Sequence, residues 1–182
     1  KLIGIKAPVF SMSKLRGVDT YLGPEMKSTG EVMGVDYTFA AALAKALLAA
    51  DLMLPPDGAI LLSIADRDKA EAMPIIKKLG AAGYKLYATG GTAGMIRGLG
   101  LPVTLITKKL GEGHPNVVDV IYDNTVCGVI NTMTGDRAPL RDGFEIRRAA
   151  AEKRIPCFTS LDTARAAVEA LTNGSQSFNV RP

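Results

Sequence analysis

From Asp57 onward the apolar residues come in short runs, each followed by a polar break and then by a stretch with helical spacing. Gly58 to Ile64 (GAILLSI) is apolar and of strand length, and Asp68 to Leu79 reads as a helix that Pro74 should kink or end early. Lys85 to Ala88 is a second strand, followed by a helix from Thr92 to Leu99 that Gly100 and Pro102 stop. Val103 to Thr107 makes a third strand, Asn116 to Tyr122 a helix beginning after Pro115, and Val126 to Ile130 a fourth strand. A helix from Gly143 to Lys153, a strand from Ile155 to Ser160 and a helix from Asp162 to Thr172 complete the series. Strands apolar on both faces belong in a parallel sheet covered by helices on each side. The expected fold is therefore α/β, a doubly wound five-stranded parallel sheet of Rossmann type over residues 58–172.

The first fifty residues are patterned differently. Lys1 to Phe10 holds one strand, and Phe39 to Ala50 (FAAALAKALLAA) is a strong Ala/Leu helix. Between them Gly17, Gly23, Pro24, Gly30 and Gly34 punctuate a segment with little periodicity and no evident core. Residues 1–50 thus read as the edge of a larger domain, 51–57 (DLMLPPD) as a linker and 173–182 as a frayed polar tail.

Composition narrows the partners. A chain of 182 residues with 47% hydrophobic content can bury a full core. Its net charge of +4 suits an anionic ligand, but the basic residues are spread along the chain and aromatics make up only 5%, so nucleic acid is not expected. Cys127 and Cys157 each sit in an apolar run, which reads as buried thiols in a reducing cytoplasm. No apolar run nears the ~20 residues of a membrane span, and the N-terminus carries no signal-peptide cleavage pattern. A soluble cytoplasmic protein without a membrane partner is expected.

Candidate chemistry gathers at the carboxyl ends of the strands, where parallel sheets hold their ligands. Tyr87-Ala88-Thr89-Gly90-Gly91-Thr92-Ala93-Gly94 joins a strand to a helix through two glycines flanked by hydroxyls. Such a turn cradles phosphate, because glycines admit an anion close to the backbone and N–H groups at a helix start point outward. A tight bend that merely needs glycine is the plainer reading. The other strand ends supply Ser63 with Asp66, Arg67 and Lys69, then Thr107, Lys108 and Lys109, then Asn131, Thr132, Met133 and Thr134. Hydroxyls, amides and ammonium groups suit phosphate and ribose rather than a metal. Each also has a plainer role: Ser63 and Asp66 as helix caps, Lys69 as a solvated charge, Asn131 and Thr132 as turn formers. The one histidine, His114, lies in a Gly-Glu-Gly-His-Pro loop without an adjacent Ser or Cys partner and reads as a surface residue. With no Cys/His cluster of metal-ligand spacing and no GxxxxGK[ST] motif, no catalytic or metal-ligating residue is assigned.

Assembled in order, these residues resemble the C-terminal end of the carbamoyl-phosphate synthase large subunit. Gly17-Val18-Asp19 followed by Leu22 to Gly34 (LGPEMKSTGEVMG) is similar to the close of that subunit's second ATP-grasp half. Leu62-Ser63-Ile64 with Asp68-Lys69, Ala88 to Ala93, Glu112 to Pro115, Ile130-Asn131-Thr132 and Ile146-Arg147-Arg148 resemble the domain this family shares with methylglyoxal synthase and the cyclohydrolase end of the bifunctional purine enzyme. The resemblance implies an allosteric module without catalysis of its own, binding a nucleotide effector of UMP or IMP type. Carried over by position, effector contacts fall on Ser63, Lys69, Thr89, Gly90, Gly91, Thr92, Lys109, Asn131, Thr132 and Thr134, with Lys108 adjacent to Lys109. Met133 stands where a hydroxyl residue is common. The implied parent makes carbamoyl phosphate for arginine and pyrimidine synthesis from glutamine, bicarbonate and ATP, using Mg or Mn. The rest of the large subunit and a glutaminase small subunit are the implied partners, with self-association through residues 1–50 also open. A stand-alone methylglyoxal synthase would need a carboxylate base near Gly113 to Val117, where this chain offers His114 and Asn116, and a histidine acid near Asp142, where it offers Asp142 and Gly143; a cyclohydrolase leaves the Gly23 to Gly34 block unexplained.

Overall fold

A computed structural model describes residues 1–11, 24–107, 113–133 and 137–173, without the side chains of 137–142 and 173. The described residues form an antiparallel ribbon and a five-stranded parallel sheet. In the ribbon, β1 (Ile3–Val9) pairs with β2 (Gly30–Asp36), Ile3 opposite Asp36 and Val9 opposite Gly30. Strand β2 lies in the glycine-punctuated stretch for which little periodicity left no strand expected, and that expectation is corrected. Gly34 is there for close approach: a Cβ on it would stand 2.1 Å from the Ala42 carbonyl oxygen and 2.4 Å from the Ala46 nitrogen. Its absence lets the ribbon lie flat on α1 (Phe39–Ala49), which Thr38 caps by accepting from the Ala41 N–H.

The main sheet contains β3 (Ala59–Ser63), β4 (Lys85–Ala88), β5 (Thr104–Leu105), β6 (Gly128–Asn131) and β7 (Cys157–Phe158). Their order is β5-β4-β3-β6-β7, with every neighbouring pair parallel. Alternate residues of β3 enter opposite cores, as the period of two requires. Ile60 and Leu62 pack with Leu43 and Leu47 of α1, Ile75 and Leu79 of α2 (Lys69–Ala81), Ile96 of α3 (Gly90–Gly98) and Val168 of α6 (Leu161–Asn173). Ala59 and Leu61 pack with Val117 and Ile121 of α4 (Val117–Tyr122) and Ile146 and Ala150 of α5 (Arg137–Glu152). The sheet's interior is thus covered on both faces, as its continuous apolar runs predict, while the edge strand β5 is exposed.

Helices α2 and α5 differ from expectation. Helix α2 runs unbroken through Pro74, because Ala72, Ile75, Ile76 and Leu79 bury one face on both sides of the proline. That burial outweighs the missing backbone bond, whose loss costs about 3 kcal/mol. Helix α5 starts at Arg137 rather than Gly143, with Pro139 in its first turn, where no N–H is required. Cys127 and Cys157, read as buried thiols, are not joined in a disulfide and are only half-buried.

The connection through α2 carries β3 toward β4, whereas α5 carries β6 to β7 on the other side. Strands β3 and β6 are neighbours, so the chain leaves their carboxyl ends in opposite directions and a crevice opens between them.

Candidate functional site

That crevice holds a cavity of about 270 Å³. Its wall comes from the end of β3 and the start of α2 (Ser63 to Asp66 and Lys69), from the β4–α3 turn (Thr89 to Thr92), from the end of β6 (Asn131 to Met133) and from Gly143 of α5. Eight of the residues singled out in the sequence meet here: Ser63, Lys69, Thr89, Gly90, Gly91, Thr92, Asn131 and Thr132. Lys109 and Thr134 lie outside the described residues.

The hydroxyls fall into two classes. Thr92 Oγ1 accepts from the Ile64 N–H at 3.0 Å, and Thr132 Oγ1 accepts from the Ala65 N–H at 2.9 Å. Both secure the backbone where β3 has left its ladder, so these threonines hold the crevice in shape. Ser63 and Thr89, only 5% and 7% exposed, make no side-chain hydrogen bond to any described residue. Neither they nor Asp66 cap a helix: the 3-10 turn Asp66–Asp68, α2 and α3 all start without a side-chain cap bond. A buried hydroxyl left without any hydrogen-bond partner is costly.

Helix α3 starts at Gly90, so the two glycines form its first turn rather than the loop before it, and their N–H groups have no intrahelical acceptor. Lys69, the first residue of α2, sits where the helix dipole disfavours a cation. Its Nζ lies 2.6 Å from Asp66 Oδ1 and 3.0 Å from where a Cβ on Gly91 would be. Gly91 therefore makes room for an ammonium group in the cavity wall. The same ammonium holds the exposed Asp66 carboxyl below the usual carboxylate range.

The floor rests on a residue that sequence reasoning passed over as a contact. Arg147, fully buried, donates from Nη1 to Asn131 Oδ1 at 2.9 Å, and Asn131 Nδ2 donates to the Ser63 carbonyl at 3.4 Å. The available signal was its spacing from Ile146, Ala149 and Ala150, all buried on the same part of α5. Arg67 Nη2 donates to the Met133 carbonyl at 2.9 Å and ties the β3 and β6 loops together.

His114 is outside the cavity lining. Its exposed ring places Nδ1 2.5 Å from Asp119 Oδ2, and Asp119 completes a capping box with Asn116 at the start of α4. The Asn116 N–H, followed by His114, holds the Asp119 carboxyl below its ordinary value. Among the described residues no group of three or more His, Cys, Asp or Glu side chains could hold a metal ion, and no helix is long and apolar enough to cross a membrane.

Residues 71–159 match the family model of the MGS-like domain. This stretch is an MGS-like domain. Over 181 residues the chain is also 56% identical to the carbamoyl phosphate synthase large chain of Thermomicrobium roseum, with all of this chain covered. The chain spans 17% of that relative's length. The family read from the residues is therefore the one the comparison returns. The matched MGS-like span carries the Thr89 to Thr92 turn, Asn131, Thr132 and Arg147, while Ser63 and Lys69 stand just ahead of it.

Proposed function

We propose that this chain is the regulatory region of a carbamoyl-phosphate synthase large chain, and that its crevice binds the phosphate and ribose of a mononucleotide effector of UMP or IMP type. The observation that carries the reading is the pair of buried hydroxyls of Ser63 and Thr89, without a side-chain hydrogen bond among the described residues, beside the Lys69 ammonium and the start of α3. A phosphate would accept from these donors and from the first N–H groups of α3, and would replace the Asp66 carboxylate as the partner of Lys69. The cavity's 270 Å³ is close to the ~300 Å³ lower end of small-ligand pockets.

Among the described residues the lining offers mainly donors, and its one carboxylate, Asp66, is paired with Lys69, which favours a ligand held and released unchanged. Its binding would shift the parent enzyme between two states by differential affinity. Synthesis of carbamoyl phosphate from glutamine, bicarbonate and ATP would belong to the rest of the large chain and a glutaminase subunit, in the cytoplasm, with ATP and its metal held there. Lys109 and Thr134 would add contacts from the flanking loops.

Isothermal titration with UMP and IMP tests this. Lys69→Ala should cost at least tenfold in affinity, about 1.5 to 3 kcal/mol for one charge-assisted contact. Thr89→Val is the companion variant, because its hydroxyl makes no side-chain hydrogen bond among the described residues that would confuse the result. Failure of the unaltered chain to bind either nucleotide would sink the reading, and release of methylglyoxal from dihydroxyacetone phosphate would replace it with an enzymatic one.

A further inference from the structure

We propose that Arg147 is a positioning residue that orients the Asn131 amide and so makes the cavity floor a hydrogen-bond donor. The proposal rests on the reading of this cavity as an anion site and says how the site acquires its polarity. A guanidinium has donors only, so the group it meets at 2.9 Å must be the amide oxygen of Asn131. The reversed amide would set two donors against each other inside the core. With Oδ1 committed, Nδ2 faces the Ser63 carbonyl, which the Thr132 N–H also reaches at 3.1 Å. That carbonyl holds one Nδ2 hydrogen, and the second is what Asn131 can offer to a ligand in the cavity it lines.

Gly143 makes the arrangement possible. It lies one helical turn before Arg147 on α5, and a Cβ on it would stand 2.7 Å from Arg147 Nη1 and 3.4 Å from Asn131 Oδ1. Any larger residue would push the guanidinium off the amide. A ligand meeting this floor must bring an acceptor, as a phosphate, a ribose oxygen or a base carbonyl does.

The test follows the Asn131 side-chain amide in 15N spectra of the unliganded chain alongside UMP and IMP titrations. Arg147→Met should shift the amide pair and speed its hydrogen exchange, while affinity falls about tenfold. In an Asn131→Ala background the same substitution should change affinity by less than about twofold, the ordinary limit of additivity. Gly143→Ala, which leaves the charge in place, should move the same amide signals and keeps the test decisive if Arg147→Met folds poorly. Unmoved Asn131 signals in both variants, or equal affinity losses in both backgrounds, would overturn the proposal. If the unaltered chain binds neither nucleotide, the effector reading falls while the spectra still decide whether Arg147 sets the amide.

Discussion

Lys69 begins a helix whose dipole opposes its charge, and its ion pair with Asp66 is what offsets this in the unliganded chain. A phosphate arriving at Lys69 has to displace that carboxylate. Asp66→Asn should therefore strengthen binding of UMP or IMP by about two- to fivefold, the range of an exposed ion pair. Calorimetry showing equal or weaker binding would exclude competition by Asp66. Tyr84 poses a separate question, since its buried phenol donates to the Pro55 carbonyl and burial pushes its pKa up to about 12. The folded value lies above the ~10 of an unfolded tyrosine. Its contribution to stability is therefore complete below about pH 10 and is lost as the pH rises toward 12. Tyr84→Phe should cost about 1 kcal/mol at neutral pH by urea unfolding and should reduce the loss above pH 10.

At the scale of elements, α4 depends on its cap. Asp119 is ionised at a lower pH in the folded chain than in the unfolded one, so it adds stability above about pH 4 that disappears as the pH falls through its folded value. Acid titration of Asp119→Asn, followed by circular dichroism, should show a shallower loss below pH 4 than the unaltered chain. The ribbon and α1 depend on Gly34 instead. Both atoms that a Cβ there would strike belong to the α1 backbone, which has no flexible end to give way. Gly34→Ala should lift the ribbon and speed hydrogen exchange of β1 and β2 amides, and unchanged exchange would contradict this contact. The same glycine explains why β2 escaped sequence reasoning: it interrupts the apolar pattern for the sake of a neighbour 8 to 12 positions away. Strands β3, β4 and β6 were legible because they lie in the sheet interior, flanked by paired strands and covered by helices.

Across the whole molecule, one core joins the first fifty residues to the sheet. Leu43 and Leu47 of α1 and Leu54 of the following segment pack in the same cluster as Ile60, Leu62 and Val168. Two ion pairs, Arg165 with Glu71 and Lys78 with Glu169, fasten α2 to α6, and α6 in turn packs on α1. Thermal unfolding should accordingly be a single transition, and Leu47→Ala should lower the stability of the whole by about 2 to 5 kcal/mol. Two separated transitions would show that the core does not act as a unit.

Within residues 58–172 the order of strands and helices, the cover on both faces of the interior strands and the gathering of polar residues at strand ends followed from local chemistry. A strand buried on both sides must be apolar along its length, and a glycine–hydroxyl turn has few uses. The tertiary structure alone decided which hydroxyls are spent on the backbone, Thr92 and Thr132, and which line the cavity without a side-chain hydrogen bond among the described residues, Ser63 and Thr89. It alone placed Arg147 beneath Asn131. Those assignments depend on contacts between segments distant in the chain, and residue type and spacing carry no record of the angle at which two such segments meet.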